Sequence, residues 1–241
     1  MKKIVIFMMI LLFPVFTLAT EYEVSDINIK IDVKSNYIVF TRDNLNNNPD
    51  LVKLNIPKEY MDELMKNNKI YYDIIKNDVS YEILVIVPDN KLKWNNLINA
   101  NDELLNDIKD EFAKQTGAKV SSIYKTKYNF IVVDYYDENS KYYIVNYYTV
   151  VNARGYNFQL QKKTEITEEE RLDLKEIVDS VEIDVLDEFK NETEEIQKGI
   201  DNYGKKNIDY KKYIYGAIIG ASAGLISYIV GAFINKKKSS V

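Results

Sequence analysis

A chain of 241 residues with 46 % hydrophobic and 12 % aromatic side chains is too apolar for a disordered protein and long enough to bury one sizeable core. It has no cysteine and no histidine, which excludes disulfide staples, zinc sites built on those ligands and every Ser-His or Cys-His nucleophilic system. The net charge of −5 is unevenly spread: residues 165–201 carry 15 acids against 4 bases, so the body before them is nearly neutral and lacks the basic face that nucleic-acid binding requires.

The chain opens on Met1-Lys2-Lys3 and an apolar run over 4–18, interrupted by Pro14 and followed by the small residue Ala19. This pattern predicts a signal peptide over 1–20, with Thr17-Leu18-Ala19 as its processing site. With no cysteine in the chain, lipid attachment to the new N-terminus is excluded. Residues 21–186 are then expected to form one extracytoplasmic α+β domain.

Within that domain, Ile27, Ile29, Ile31 and Val33 alternate with polar residues and predict a half-buried strand, and 37–41 predict a second after the Lys34-Ser35-Asn36 turn. An asparagine-rich loop over 43–50 follows. Pro57 suits a first helical position, and Tyr60, Met61, Leu64 and Met65 mark one apolar stripe of a short amphipathic helix. Residues 70–76 and 81–87 read as strands joined at Asn77-Asp78, a hairpin signal. Asn101 is a candidate N-cap for a longer helix with acids Asp102 and Glu103 in its first turn, apolar Leu104, Leu105, Ile108 and Phe112, and Gly117 as its stop.

Residues 121–134, 141–151 and 156–161 read as three further strands, separated by Asp137-Glu138-Asn139-Ser140 and Asn152-Ala153-Arg154-Gly155. Thr167 and Glu170 have capping-box spacing, and Leu172, Leu174, Ile177, Val178 and Val181 supply the apolar positions of a last helix. The expectation is an α+β fold, a mainly antiparallel sheet flanked by helices.

Residues 187–212 are polar and charged and predict a stalk. Residues 213–235 hold no charge, reach about 35 Å at 1.5 Å per residue and predict a single transmembrane helix, followed by a short cytoplasmic tail over 236–241 with Lys236, Lys237 and Lys238. Export of the N-terminus places the domain outside the cell membrane. Gly216, Gly220 and Gly224 recur every fourth residue in the span, a spacing that lets two helices approach closely and predicts a homodimer through the membrane helix.

The order of these elements carries a resemblance. The early segment 37–43, the helix from Pro57, the tyrosine-rich run Tyr142-Tyr143-Ile144-Val145-Asn146-Tyr147-Tyr148-Thr149-Val150-Val151-Asn152, the strand 156–161 and the closing helix from Leu172 to Val181 resemble the PsbP-like α/β/α sandwich superfamily, in particular membrane-anchored versions from low-GC Gram-positive anaerobes such as clostridia. The resemblance implies a fold used mostly for docking and assembly. It carries no family active site onto these residues and implies no cofactor.

Several local patterns are candidates for chemistry. Ser122-Ile123-Tyr124-Lys125 matches S-x-x-K but starts a β-patterned stretch and lacks the partner motifs of that chemistry, so a strand start is the better reading. Asp134, Asp137 and Glu138, or Asp43, Asn44, Asn46 and Asp50, offer oxygen ligands to calcium, yet neither set has EF-hand spacing and solvated turns explain both. Asn191-Glu192-Thr193 is formally a glycosylation sequon. Paired tyrosines put one ring on each sheet face, and Tyr135, Tyr142 and Tyr147 are the candidates for an exposed contact surface.

Two functions follow. The preferred one is a membrane-anchored extracytoplasmic domain without catalytic activity that contacts a protein or cell-envelope component. The alternative is a hydrolase of envelope polysaccharide in which Asp134 and Glu138 serve as acid and base.

Overall fold

The computed structural model describes residues 19–89, 96–98 and 100–190. In chain order it has strands β1 (Ala19–Val24), β2 (Ile29–Lys34) and β3 (Tyr37–Thr41), helices α1 (Pro49–Leu54) and α2 (Lys58–Asn67), and strands β4 (Ile70–Lys76) and β5 (Glu82–Ile86). Helix α3 (Asp102–Thr116) precedes β6 (Val120–Lys125), β7 (Asn129–Asp137), β8 (Tyr142–Val151) and β9 (Arg154–Lys162), and α4 (Glu168–Asp179), β10 (Glu182–Ile183) and α5 (Asp187–Lys190) close the series. The expected signal residues 1–18, the stalk from 191 onward, the span with Gly216, Gly220 and Gly224, and the tail lie outside the described residues. Among the described residues no helix is long and apolar enough to cross a membrane.

Seven strands form one antiparallel sheet in the order β3-β4-β5-β9-β8-β7-β6, and β1, β2 and β10 form a second, smaller one. The fold is therefore α+β with helices flanking mainly antiparallel sheet, as the alternation of patterns implied. Side chains on successive residues of a strand point to opposite faces, so the large sheet has two burial problems to solve. On one face, Val39, Tyr72, Ile74, Ile83, Val85, Phe130, Val145, Phe158 and Leu160 meet Leu174, Ile177 and Val178 of α4 and Ile29, Ile31 and Val33 of the small sheet. On the other, α1 and α2 cover the β3–β5 end through Leu51, Met61, Leu64 and Met65, and α3 covers the β7–β8 end through Leu105, Ile108 and Phe112.

Tyrosine hydroxyls tie the two sheets together. Tyr156 donates to the Ile27 carbonyl at 2.9 Å, Tyr72 reaches the carbonyls of Tyr22 and Ile29 at 3.0 and 3.2 Å, and Tyr128 both accepts from the Ile183 amide at 2.7 Å and donates to the Ile183 carbonyl at 3.1 Å. Each ring fills the core while its hydroxyl bonds backbone of the small sheet or of the turn between β1 and β2.

The helix ends follow their sequence signals. Asn101 caps α3 by accepting from the Leu104 amide, and Gly117 closes it at φ 66°. Thr167 and Glu170 form the full capping box of α4. Three details differ from expectation. The asparagine-rich loop runs straight into α1, capped by Asn48 with Pro49 next to it, and Pro57 stands just before α2 instead of inside it. The stretch 121–134 is two strands, because the chain turns between Lys125 and Asn129, where the Thr126 amide donates to the Tyr128 carbonyl at 2.8 Å. Leu172, placed on the apolar stripe of the last helix, is 58 % exposed.

Candidate functional site: the cleft beside the asparagine loop

Where β3 leaves the sheet, Thr41 and Asn44 close a tight turn: the Thr41 amide donates to Asn44 Oδ1 at 2.9 Å, and the Asn44 amide donates to Thr41 Oγ1 at 3.1 Å. The amide groups of Asn44 and Asn48 then both donate to the Val39 carbonyl at 3.0 Å, while Asn48 Oδ1 accepts from the Asp50 amide at 3.0 Å. Asparagine suits these positions because its short amide side chain satisfies nearby backbone groups. The loop is thus held by its own side chains, and it forms one wall of an open cleft of about 420 Å³. Tyr22 of β1 and Tyr37 and Val39 of β3 line it as well.

The cleft is polar and acidic. Asp43, Asn46, Asn47 and Asp50 line it, and among the described residues no lysine or arginine does. Burial, and then the negative charge of Asp50, hold the Tyr22 phenol above its ordinary pKa. Asp43, Asn44, Asn46 and Asp50, one of the two sets of calcium candidates, do converge here, but Asn44 Oδ1 is occupied by the Thr41 amide. Among the described residues no three Asp or Glu side chains are grouped to hold a metal ion.

The remaining candidates are dispersed. Asp134 is bound by Arg171 of α4 at 2.6 Å, whereas Glu138 sits in the β7–β8 turn and pairs with Lys141 at 2.9 Å. Asp137 is consumed by that turn, accepting from the amides of Asn139 and Ser140 and from the Ser140 hydroxyl. The proposed acid and base of a hydrolase are each engaged by a cation of their own. Ser122 and Lys125 lie on β6, where an odd spacing of three puts them on opposite faces, and Lys125 pairs with Asp102 of α3.

Tyr135, Tyr142 and Tyr147 are 8 %, 5 % and 9 % exposed, which leaves them little surface to present. Tyr135 and Tyr142 pack in the layer under α3, and Tyr147 makes edge contacts with Tyr124 and Phe130 on the α4 side.

Sequence reasoning missed two polar clusters. In the first, Asp173 of α4 accepts from Lys76 at 2.9 Å and from the Tyr81 hydroxyl, and Tyr37 lies 2.9 Å from Tyr81 and 3.3 Å from Lys76. Burial raises the Asp173 carboxyl, but the bonds from Tyr81, Lys76 and Tyr37 outweigh it and leave the group below its ordinary value. The network ties α4 to the β3–β5 end of the sheet. The second is a row of carboxyl and amide side chains (Asp73, Glu82, Gln161, Gln159, Asn157 and Asn146) buried on four central strands, facing the α1–α2 and α3 side. The only sequence signal for either was a charge placed inside an apolar strand.

No family model matches the sequence, and no curated protein matches it. Solved structures similar to the chain include PsbP of the cyanobacterium Synechocystis sp. PCC 6803, with a TM-score of 0.41 and 6 % identity over 70 % of this chain and 94 % of that one. They also include a protein of Bacteroides thetaiotaomicron, with a TM-score of 0.38 and 9 % identity over 65 % of this chain and 45 % of that one. The former belongs to the superfamily that the strand and helix order resembles.

Proposed function

We propose that this chain is a membrane-anchored, PsbP-like extracytoplasmic domain that binds a protein or cell-envelope component and has no catalytic activity. The observation that carries this reading is the cleft between β1, β3 and the asparagine loop: an open recess of about 420 Å³ lined by two tyrosines and by amides and carboxylates. Such walls hold a ligand through ring contact and hydrogen bonds without a nucleophile or metal. The export signal and the apolar stretch 213–235 support the anchored, outward-facing topology, and Gly216, Gly220 and Gly224 support association of two copies in the bilayer.

A photo-crosslinking residue at Asn46, irradiated in intact cells, is expected to give a discrete adduct that a Tyr22→Ala, Asp50→Ala variant loses. An equal adduct from a probe at Glu103 on the distant α3, or none from Asn46, would overturn the binding assignment. Protease added to unbroken cells is expected to digest the domain, and alkaline washing to leave the chain in the membrane. Replacing Gly220 with Ile is expected to abolish dimers in a membrane reporter assay.

A further inference from the structure

Asp73 lies in the middle of β4 and Glu82 at the start of β5, and the register sets Asp73 opposite Leu84 and Glu82 opposite Ile75. Both therefore face the α1–α2 layer, two residues apart on neighbouring strands. Asp73 is 0 % exposed and neither of its carboxyl oxygens has a hydrogen-bond partner. Glu82, 7 % exposed, accepts one bond from Gln161 Nε2 at 2.6 Å, and Gln161 in turn accepts from Gln159 Nε2 at 2.7 Å.

Among the described residues no cation pairs with either carboxyl. Helices α1 and α2 turn Leu51, Met61, Leu64 and Met65 onto this layer, and β9 turns Gln159 and Gln161. Arg42, at the end of β3, is occupied elsewhere: it donates to the carbonyls of Ile70 and Met65 at 2.8 and 3.2 Å and lies 3.7 Å over the Tyr71 ring. Among the described residues the charge that acts on Asp73 is that of Glu82.

We propose that Asp73 and Glu82 form a proton-controlled latch: while both carboxyls hold their protons the α1–α2 layer is closed on the sheet, and loss of a proton to solvent lifts that layer. An ionised carboxylate at Asp73 has no donor, one at Glu82 has only the Gln161 amide, and each repels the other, so ionisation recruits water. The route to water is through the cluster of Ile38, Phe40, Leu51, Met61, Leu64 and Met65, which is separate from the main core on the opposite face. Opening this cluster exposes less apolar surface than unfolding the domain, so it is the cheaper way to hydrate the charge. Burial is the first cause that raises both groups, the charge of Glu82 adds to it for Asp73, and Glu82 is pushed up to about 7, which places the release at neutral to alkaline pH. The first turn of α1 carries Asn48, Pro49 and Asp50 of the cleft wall, so the same movement reshapes the cleft.

The test is hydrogen exchange by mass spectrometry on the full chain in detergent between pH 5 and pH 8.5, with rates corrected for the intrinsic pH dependence of amide exchange. Protection of α2 and β4 is expected to fall by on the order of a hundredfold, the linkage of a carboxyl whose pKa drops from about 7 to its ordinary 4.5 on opening, while α3 and α4 keep theirs. Glu82→Gln, which retains an acceptor for Gln161, is expected to remove most of the pH dependence, and Asp73→Asn to reduce it independently. Protection that does not change with pH, that falls equally in all helices, or that falls as steeply in both variants would overturn the latch.

Discussion

Replacing Glu82 with Gln should make the domain more stable, and by an amount that depends on pH. Burial holds the Glu82 carboxyl at about 7 in the folded state against 4.5 for an ordinary glutamate. Below pH 4.5 both folded and unfolded chains keep the proton, and the group costs nothing. Between pH 4.5 and 7 the unfolded chain gives up its proton while the folded chain retains it, so stability declines over that window and the full cost remains at higher pH. A separation of 2.5 pH units corresponds to about 3 kcal/mol. Glutamine has the same shape, keeps the bond from Gln161 and never ionises, and it also removes the charge that raises Asp73. Denaturant titration of the full chain in detergent, followed by tyrosine fluorescence, should find wild type and Glu82→Gln alike at pH 4 and the variant about 3 kcal/mol more stable at pH 8. That gain is roughly 6–12 °C in Tm for a domain of this size. Equal stability at pH 8, or a loss there, would refute the reasoning.

Three further outcomes test the packing. A Cβ on Gly155 would stand 3.0 Å from Cε2 and the hydroxyl of buried Tyr148, so Gly155→Ala should cost about 1–3 kcal/mol in a denaturant midpoint. Lys141 adopts φ 62° in the β7–β8 turn and its exposed pair with Glu138 contributes little, so Lys141→Gly should raise Tm by a few degrees, about 1 kcal/mol. Asp173→Asn keeps the shape but unbalances Lys76, and should cost about 2–3 kcal/mol at neutral pH. Because the folded Asp173 lies below its ordinary value, that cost should shrink only as acid protonates the wild-type carboxyl, and a cost that instead grew in acid would contradict the network.

The legible parts of this protein are those governed by neighbours in sequence. Asn101, Gly117, Thr167 and Glu170 mark their helix ends because capping is a matter of three or four residues. Ile29, Ile31 and Val33 mark β2 because period-two patterning survives any partner. The strand Tyr156-Asn157-Phe158-Gln159-Leu160-Gln161 shows where that stops. Its alternation suggests one wet face, yet Asn157, Gln159 and Gln161 are as buried as the rings between them. Alternation reports that the two faces differ, and a central strand covered by helices on one side and by α4 and the small sheet on the other leaves neither to solvent. The cleft was half visible: its asparagines and aspartates stood out as oxygen donors, but Tyr22 and Tyr37 come from strands whose proximity no local pattern encodes.

Length, composition and local periodicity therefore determined on their own that this chain has apolar stretches at 4–18 and 213–235 with one α+β body between them, and that histidine and cysteine chemistry is closed to it. Tertiary structure alone decided that consecutive strands β2 and β3 join different sheets, that Tyr135, Tyr142 and Tyr147 are interior, and that Asp73 and Glu82 meet away from water. The physical reason is range. Propensity and capping act over a few residues, whereas burial and carboxyl ionisation depend on which distant segments close over a side chain.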